Sequence, residues 1–581
     1  MAILKLVNFK GELPSLIPRA LPDGFSQEAV NVRLDDGGLT PFRQPREVTS
    51  LPAPADKYKT IYRHKGVWRA WEADVWCAPG PVDSDRLYVF GDGEPKMIYS
   101  GATYSLAVPA PAAALTATLS GTATSDLGST RFYVRTFVTS LGEESQPSPI
   151  TNEVYWKPGQ SVTLSGFSLP PAGRLVTKER IYRAQTTFSG TQLFFIAERD
   201  VSVSDFIDTV SSTAINEPLP SLDWTPPIST LKGLISLPNG NMAAFSGKEV
   251  YFCEPWRPHA WPDKYSLTCD FEIVGLGAFG GSMVVMTTGN PYIVTGTHPD
   301  SMYMEKLELN YPCLSSRGIE DLGYAVAYPS TDGLVMASQG GPQLVTSGIL
   351  TREAWEKLNP NSIHSGQRNG RYYCTYQRND AVMGLVTETI IIDTTGQQAF
   401  LIRADFKPDA MFHDVTTGSL FYIVGPTIYE FDYIGKPNMA YSWMSKEIIM
   451  PKPANFGAIL VDVSTGMPPD EQALILQQQQ DDIAYNQAII DGTEQSGEVN
   501  ASEVDEFALN GDNLRQIHKI TYNCSVNIYA DDKLVANVNK VNEMARLPAG
   551  FLARKWVIQV NGDVRVLEIT MAGTGFELAG A

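Results

Sequence analysis

Cysteine is scarce in this chain, with six in 581 residues, at 77, 253, 269, 313, 374 and 524. No two form a CxxC pair, which excludes a thiolate zinc ribbon and a dense disulfide framework. Most lie inside apolar strings such as RYYCTY, the setting of a buried free thiol, so folding in a reducing cytoplasm is expected. Long apolar runs are also missing. The opening MAILKLVNFKGELPSL has one short apolar stretch broken by Lys5 and Asn8, too short for a secretory signal or a membrane span. Basic residues are outnumbered, 45 Lys and Arg against 64 Asp and Glu, for a formal charge of −19. That balance argues against a nucleic-acid reader or a binder of anionic membranes, both of which need positive surface. What the chain has in quantity is 48 Gly, 39 Pro and 10% aromatic residues, the composition of short strands joined by tight turns. A chain of this length should hold roughly two to four domains.

The strongest internal pattern is a strand-turn-strand cassette. It reads GNMAAFSGKEVYFCEP from Gly240, GSMVVMTTGNPYIVTG from Gly281, GLVMASQGGPQLVTSG from Gly333 and GSLFYIVGPTIYEFD from Gly418, with a weaker copy, GRYYCTYQRND, from Gly370. Successive offsets are 41, 52, 37 and 48 residues, read directly from those positions. Strand-built self-similarity at this period predicts a β-propeller, whose blades bury their faces only against one another. A sixth cassette, GVWRAWEADVWCAP followed by DRLYVFGDGEPKMIYS, stands apart near the N-terminus, so the propeller is expected to be interrupted.

The expected organisation is all-β. An N-terminal arm covers 1–49, the first part of a propeller of about six blades 50–109, an inserted sandwich 110–221, the rest of the propeller 222–450, and a β-rich C-terminal platform 451–581. The insert begins with PAPAAALTATLSGTATSD and continues in alternating strands RFYVRTFVTS, RIYRAQ and LFFIAERD. Its RFYVRTFVTSLGEESQPSP is similar to the strand-turn-strand of fibronectin type III modules. Two helices are predicted. One is short, capped by Thr351 and stopped at Asn359-Pro360; the other spans about 470–490, opening on Pro468-Pro469 with acidic residues at its positive end. The dipeptide Asn561-Gly562 suits a hairpin turn.

Motifs that could carry chemistry fail on inspection. Gly275 to Gly280 fits GxGxxG, with Asp300 near a ribose-binding position, but the strand-like SMVVMTT follows where a phosphate-holding helix should begin, so a blade-to-blade turn is expected. Gly247-Lys248-Glu249 lacks the Ser or Thr of a P-loop, and Gly240 is one residue too far upstream. The histidines at 64, 259, 298, 364, 413 and 518 show no metal-binding spacing, though His259, His298 and His413 could converge across a propeller. Glycosidase chemistry needs two nearby carboxylates; Asp332, Asp393 and Asp414 occupy positions where acids are ordinary turn residues, and Ser330-Thr331-Asp332-Gly333 is only part of an Asp-box. The pairs Trp68 and Trp71, Trp256 and Trp261, and Tyr372 and Tyr373 read as core or inter-blade packing. No catalytic group, cofactor or metal is expected.

A resemblance reaches further than these motifs. SWMSKEIIMPKPANFGAILVDV at 442–463, NIYADDKLVANV and RLPAGFLARKWVIQVNGDVRVLEITMAG resemble the C-terminal half of tailed-phage virion proteins, and EAVNVRLDDGGLTPFRQP and DRLYVFGDGEPKMI resemble the first part of the same proteins. The family is that of the tail nozzles of short-tailed phages, the tail tubular protein B type. The resemblance implies a structural, non-enzymatic subunit of a homo-hexameric ring at the end of the tail, synthesised in the host cytoplasm. It implies as partners a tail adaptor ring, fibre or needle proteins, genomic double-stranded DNA passing through the lumen and the host surface. The alternatives are a receptor-binding or fibre-docking protein whose sandwich presents the contact surface, or a propeller glycosidase or depolymerase. The helix at about 470–490 and the acidic loop after it, at 493–512, are the expected channel constriction.

Overall fold

The computed structural model describes residues 3–187, 190–211, 216–396, 398–464, 469–494, 514–515 and 523–580. The chain is all-β apart from a few short helical turns and one long helix. Each cassette folds into four antiparallel strands. The first sheet is Trp76–Pro79, Leu87–Gly91, Gly93–Tyr99 and Ala102–Ser105. The second begins with Lys232–Ser236, the third with Ile273–Phe279, the fourth with Glu320–Asp321 and the fifth with His364–Arg368. The sixth joins Ala410–Asp414, Ser419–Val424 and Thr427–Glu430 to Arg46–Ser50 from the start of the chain. Arg46 pairs with Glu430 at 2.6 Å and lies over the Tyr433 ring, so the expected N-terminal arm supplies a strand that completes the last sheet.

The sheets follow one another in a propeller-like succession. The first strand of each packs against the first strand of the next, from the first sheet round to the sixth, and the sixth packs against a hairpin of Thr60–His64 and Val67–Trp71. Trp68 of that hairpin meets Phe412 and Phe421 of the sixth sheet, while Tyr62 and Trp71 pack with Val75, Leu87, Val89 and Ile98 beside the first. The hairpin is therefore an additional two-stranded member, which the cassette pattern merges with the first sheet.

Close approach between neighbouring sheets explains the GxGxxG string. It is not a turn between sheets: Gly275 and Gly277 lie inside the strand Ile273–Phe279, where a Cβ would stand 2.3 Å from Ile319 and 2.6 Å from Val326. Only Gly280, with φ 56°, belongs to a turn, the one leading to the next strand of the same sheet. The glycines let the fourth sheet press against the third.

The insert packs two layers face to face. Thr116–Ser120, Ser161–Ser165 and Phe206–Asp208 form one sheet, and Tyr133–Thr139, Val176–Thr187 and Gly190–Asp200 the other, with Ser129–Arg131 paired to Val154–Trp156 at the side. Leu115, Ala117, Tyr133, Val162, Leu164, Ile181 and Ile196 fill the space between them.

The C-terminal region is continuous with the fifth sheet. Ser26–Val30 bridges Phe400–Ala404 to Tyr441–Ser445, which pairs onward with Ala553–Gly562 and Cys524–Ala530, ending at Lys533–Val538. A second sheet joins Ile3–Leu6, Arg565–Ala572, Ala458–Ser464 and Ala545–Arg546. Asn561-Gly562 makes no hairpin: both residues are paired within the strand Ala553–Gly562, and the chain then crosses to the other sheet. Gly562 is required there because a Cβ would meet the carbonyl of Asn523 at 2.6 Å.

Thr351 caps the short helix Arg352–Glu356, its hydroxyl accepting from the Ala354 amide at 3.2 Å. The long helix spans Pro469–Glu494, with Leu476, Ile483, Tyr485 and Ile490 exposed. Asn486 exchanges hydrogen bonds with the Arg515 backbone, and the Arg515 guanidinium lies 3.8 Å over the Tyr485 ring. Among the described residues, no helix is long and apolar enough to cross a membrane. The helix includes 493–494, where the sequence predicts the start of a loop; the rest of that predicted loop, 495–512, lies outside the described residues.

Candidate functional site

The first strands run side by side, so the residues at their leading ends converge. Arg317, in the turn before the fourth sheet, donates from Nη2 to the carbonyls of Lys59 at 3.0 Å and Asp409 at 2.6 Å, and stands 3.7 Å from Asp74. One guanidinium thus ties together the two-stranded hairpin, the sixth sheet and the approach to the first. Burial lowers its pKa, and the charges of Asp74 and Asp409 oppose the shift. Beside it opens a cavity of about 360 Å³ lined by Asp74, Trp76, Lys232, Phe245, Ile273 and Ser316, which come from three consecutive sheets and the approach to the fourth.

Farther along the same strands is a cluster around Glu320. Its Oε2 is 3.5 Å from the Ser365 hydroxyl, which also donates to the Arg317 carbonyl at 3.2 Å. Gln367 Nε2 and His413 Nδ1 are 2.5 Å apart. Confinement among these strands pushes the Glu320 carboxyl up to about 8, Asp321 adds to the shift and Ser365 opposes it. Burial lowers the His413 imidazole. Such a carboxyl can hold and release a proton near neutrality.

A second polar concentration joins the sandwich to the sheets. Glu143, buried in the sandwich, accepts from Arg174 Nη2 at 2.6 Å and from Arg86 Nη1 of the first-sheet region at 3.2 Å. His259 of the second-sheet region has Nδ1 4.0 Å from Glu143, and its Nε2 is 3.2 Å from the Glu144 carbonyl. Burial holds the His259 imidazole down at about 4, so it is neutral at ordinary pH.

The structure does not bring together the residues singled out for chemistry. His259 packs on Trp224, His298 caps the turn at Asp300 and packs on Tyr265, and His413 bonds Gln367. His364 meets the Pro408 carbonyl, and His518 lies outside the described residues. Among the described residues, no group of three or more His, Cys, Asp or Glu could hold a metal ion. Asp332, Asp393 and Asp414 are each held by a different arginine, Arg352, Arg371 and Arg63, and Asp393 and Asp414 also receive turn backbone amides. The turn at Ser330 to Gly333 is packed by Trp355, whose indole donates to the Ser330 carbonyl at 2.8 Å. Lys248 donates to the Asp270 carbonyl. Trp261, Tyr372 and Tyr373 are buried, whereas Trp256 is half exposed and left-handed, lying over Gly240. All six cysteines are free thiols and five are buried, with burial raising Cys253 and Cys313 to about 12. Arg317, Glu320 and Glu143 leave no motif in the sequence, because their partners are distant along the chain.

No family model and no curated protein matches this chain. Among solved structures it is similar to the N-terminal domain of Nup159, at 9% identity over 45% of this chain and 67% of that one, with a TM-score of 0.24. It is also similar to the extracellular domain of the putative one-component system BT4673 from B. thetaiotaomicron, at 8% identity over 76% of this chain and 48% of that one, with a TM-score of 0.23. PorZ of the type-IX secretion system of Porphyromonas gingivalis gives 12% identity, 64% and 42% coverage, and a TM-score of 0.21. The chain thus spans about half the length of the last two. Scores this low carry no argument about function.

Proposed function

We propose that this chain is a structural, non-catalytic subunit of a short-tailed phage virion. In this reading six copies form the distal nozzle ring of the tail, which retains the packaged genome and conducts it during ejection. The motivation is the resemblance at both ends of the chain, and the observation that carries the reading is the placement of charge. Between Asp470 and Asp512 the sequence has eleven acidic residues and no Lys or Arg, against a net charge of −19 for the whole chain. The first part of that stretch is the helix Pro469–Glu494, whose apolar Leu476, Ile483 and Ile490 are exposed. A helix of this kind gains little from burial within its own chain, so contacts with other subunits are its natural support. Acidic groups around a bore repel phosphate, which favours passage of DNA over retention by binding.

The expected ring sets the helix and the acidic stretch toward the lumen, and the adaptor ring and fibre or needle proteins against the outer sheets. Deleting 493–510 should leave the sheets folded and alter genome retention in assembled particles. Unchanged retention would remove the gate assignment, and a map placing the protein away from the tail axis would remove the nozzle reading itself.

A further inference from the structure

Where the sandwich rejoins the sheets there is a cleft of about 590 Å³, within the size range of small-ligand sites. One wall is the outer face of the sandwich sheet, presenting Arg180, Tyr182 and Phe195; the other is the returning segment with Asn216, Glu217 and Pro218. The rings of Tyr182 and Phe195 meet edge to face at 5.9 Å.

The polar groups of the first wall are fixed. Glu144 is buried and accepts from Tyr182 Oη at 2.6 Å, Thr136 Oγ1 at 2.7 Å and Arg180 Nη1 at 2.8 Å. Arg180 Nε donates to Glu198 at 2.8 Å, so two carboxylates already share its charge. Facing it, Glu217 is exposed and its carboxylate has no partner among the described residues. Asn216 donates to the Phe195 carbonyl at 3.1 Å, which leaves its own side-chain oxygen to accept.

These features narrow the ligand. An extended peptide cannot add a strand here, because the neighbouring edge is taken: Phe195 donates to the Glu217 carbonyl at 2.9 Å and Leu219 to the Leu193 carbonyl at 2.8 Å. An anion meets an arginine already neutralised and an unpaired glutamate. A cation finds only the exposed Glu217, because Glu144 and Glu198 are already engaged by Arg180 and Lys178. What fits is a neutral molecule with an apolar face for the Phe195 and proline surfaces and several hydroxyls for Glu217, Asn216 and the remaining Arg180 N–H group. We infer that this cleft binds a neutral saccharide, with Glu217 as its principal hydrogen-bond acceptor.

The test uses the full chain and a panel of glucose, galactose, mannose, rhamnose, N-acetylglucosamine, maltose and lactose, read by saturation-transfer NMR at concentrations on the order of 10 mM. At least one sugar is expected to give a saturable signal that Glu217→Gln weakens about tenfold or more. Glu217 is exposed and its carboxylate has no partner among the described residues, so that variant should fold normally, as checked by its unfolding curve. No signal from any sugar overturns the proposal. So does a signal that Glu217→Gln leaves unchanged, or, when sialic acid and glucosamine are measured alongside the panel, a preference for either over every neutral sugar. The ring reading is unaffected by any of these results, since it concerns assembly.

Discussion

Inside the sandwich, Arg135 and Glu179 pair at 2.9 Å with both side chains fully buried, and Arg183 meets the buried Asp208 at 2.8 Å. Between the third and fourth sheets the corresponding contact is apolar and turns on Gly275 and Gly277 lying against Ile319 and Val326. The two regions bury their interiors by different means. The sandwich fixes its sheet with buried carboxylates that each hold two arginines, Glu179 with Arg135 and Arg199 and Asp208 with Arg131 and Arg183, whereas between the third and fourth sheets glycines set how closely one sheet approaches the next. A buried ion pair contributes little net stability but is costly to break. A glycine contact costs little in itself and fails when a side chain is added.

The largest expected effect comes from breaking a charge in the sandwich. Glu179→Ala strands Arg135 without its carboxylate and should cost about 3–5 kcal/mol. Hydrogen exchange of peptides from 133–139 and 176–187 should accelerate while those of the third and fourth sheets stay protected. Adding Arg135→Met should restore most of the loss, the remainder belonging to Arg199, the second arginine that Glu179 holds at 2.8 Å; no restoration at all would mean that the pair acts through something other than charge. The matching change in the sheets is Gly277→Ala. Its Cβ would come within 2.6 Å of Val326, for a cost of about 1–3 kcal/mol in denaturant unfolding, and Val326→Ala should relieve part of it.

Titration separates the regions next. The Glu320 carboxyl is raised to about 8 from an ordinary 4.5, so across that window the folded state keeps a proton that the unfolded chain has released. Stability should therefore fall as pH rises from about 4.5 through about 8, and Glu320→Gln should flatten that part of the profile. His259, lowered to about 4, works in the opposite direction, with stability lost as pH falls from about 6.5 through about 4. A Glu320→Gln profile that still falls across the neutral range would show that the carboxyl is not the cause. The smallest effect is at the helix cap, where Thr351→Ala should cost about 1 kcal/mol and leave the sandwich unchanged by hydrogen exchange.

The parts of this fold visible in the sequence are those with local causes. Turn glycines and alternating strands gave away the cassettes, and Thr351 with the proline after it marked the short helix. Contacts made by distant residues were not legible. Nothing near Arg46 reveals that it meets Glu430, and nothing near Asn561-Gly562 shows that two strands from elsewhere pair with both residues and leave no room for a hairpin. The cassette period also hid the hairpin at 60–71, because GVWRAW and DVWCAP read as one unit although they belong to separate sheets. The polar clusters were the least accessible. Arg317 binds the carbonyls of Lys59 and Asp409, 258 and 92 residues away, and Glu143 joins Arg86 to Arg174 across a domain junction.

The ring is the central claim, and electron microscopy of the purified full chain, with mass measured in the same solution, tests it most directly. The account predicts closed rings of six copies around an open bore. A monodisperse monomer at micromolar or higher concentration, or a trimer without a bore, would contradict it.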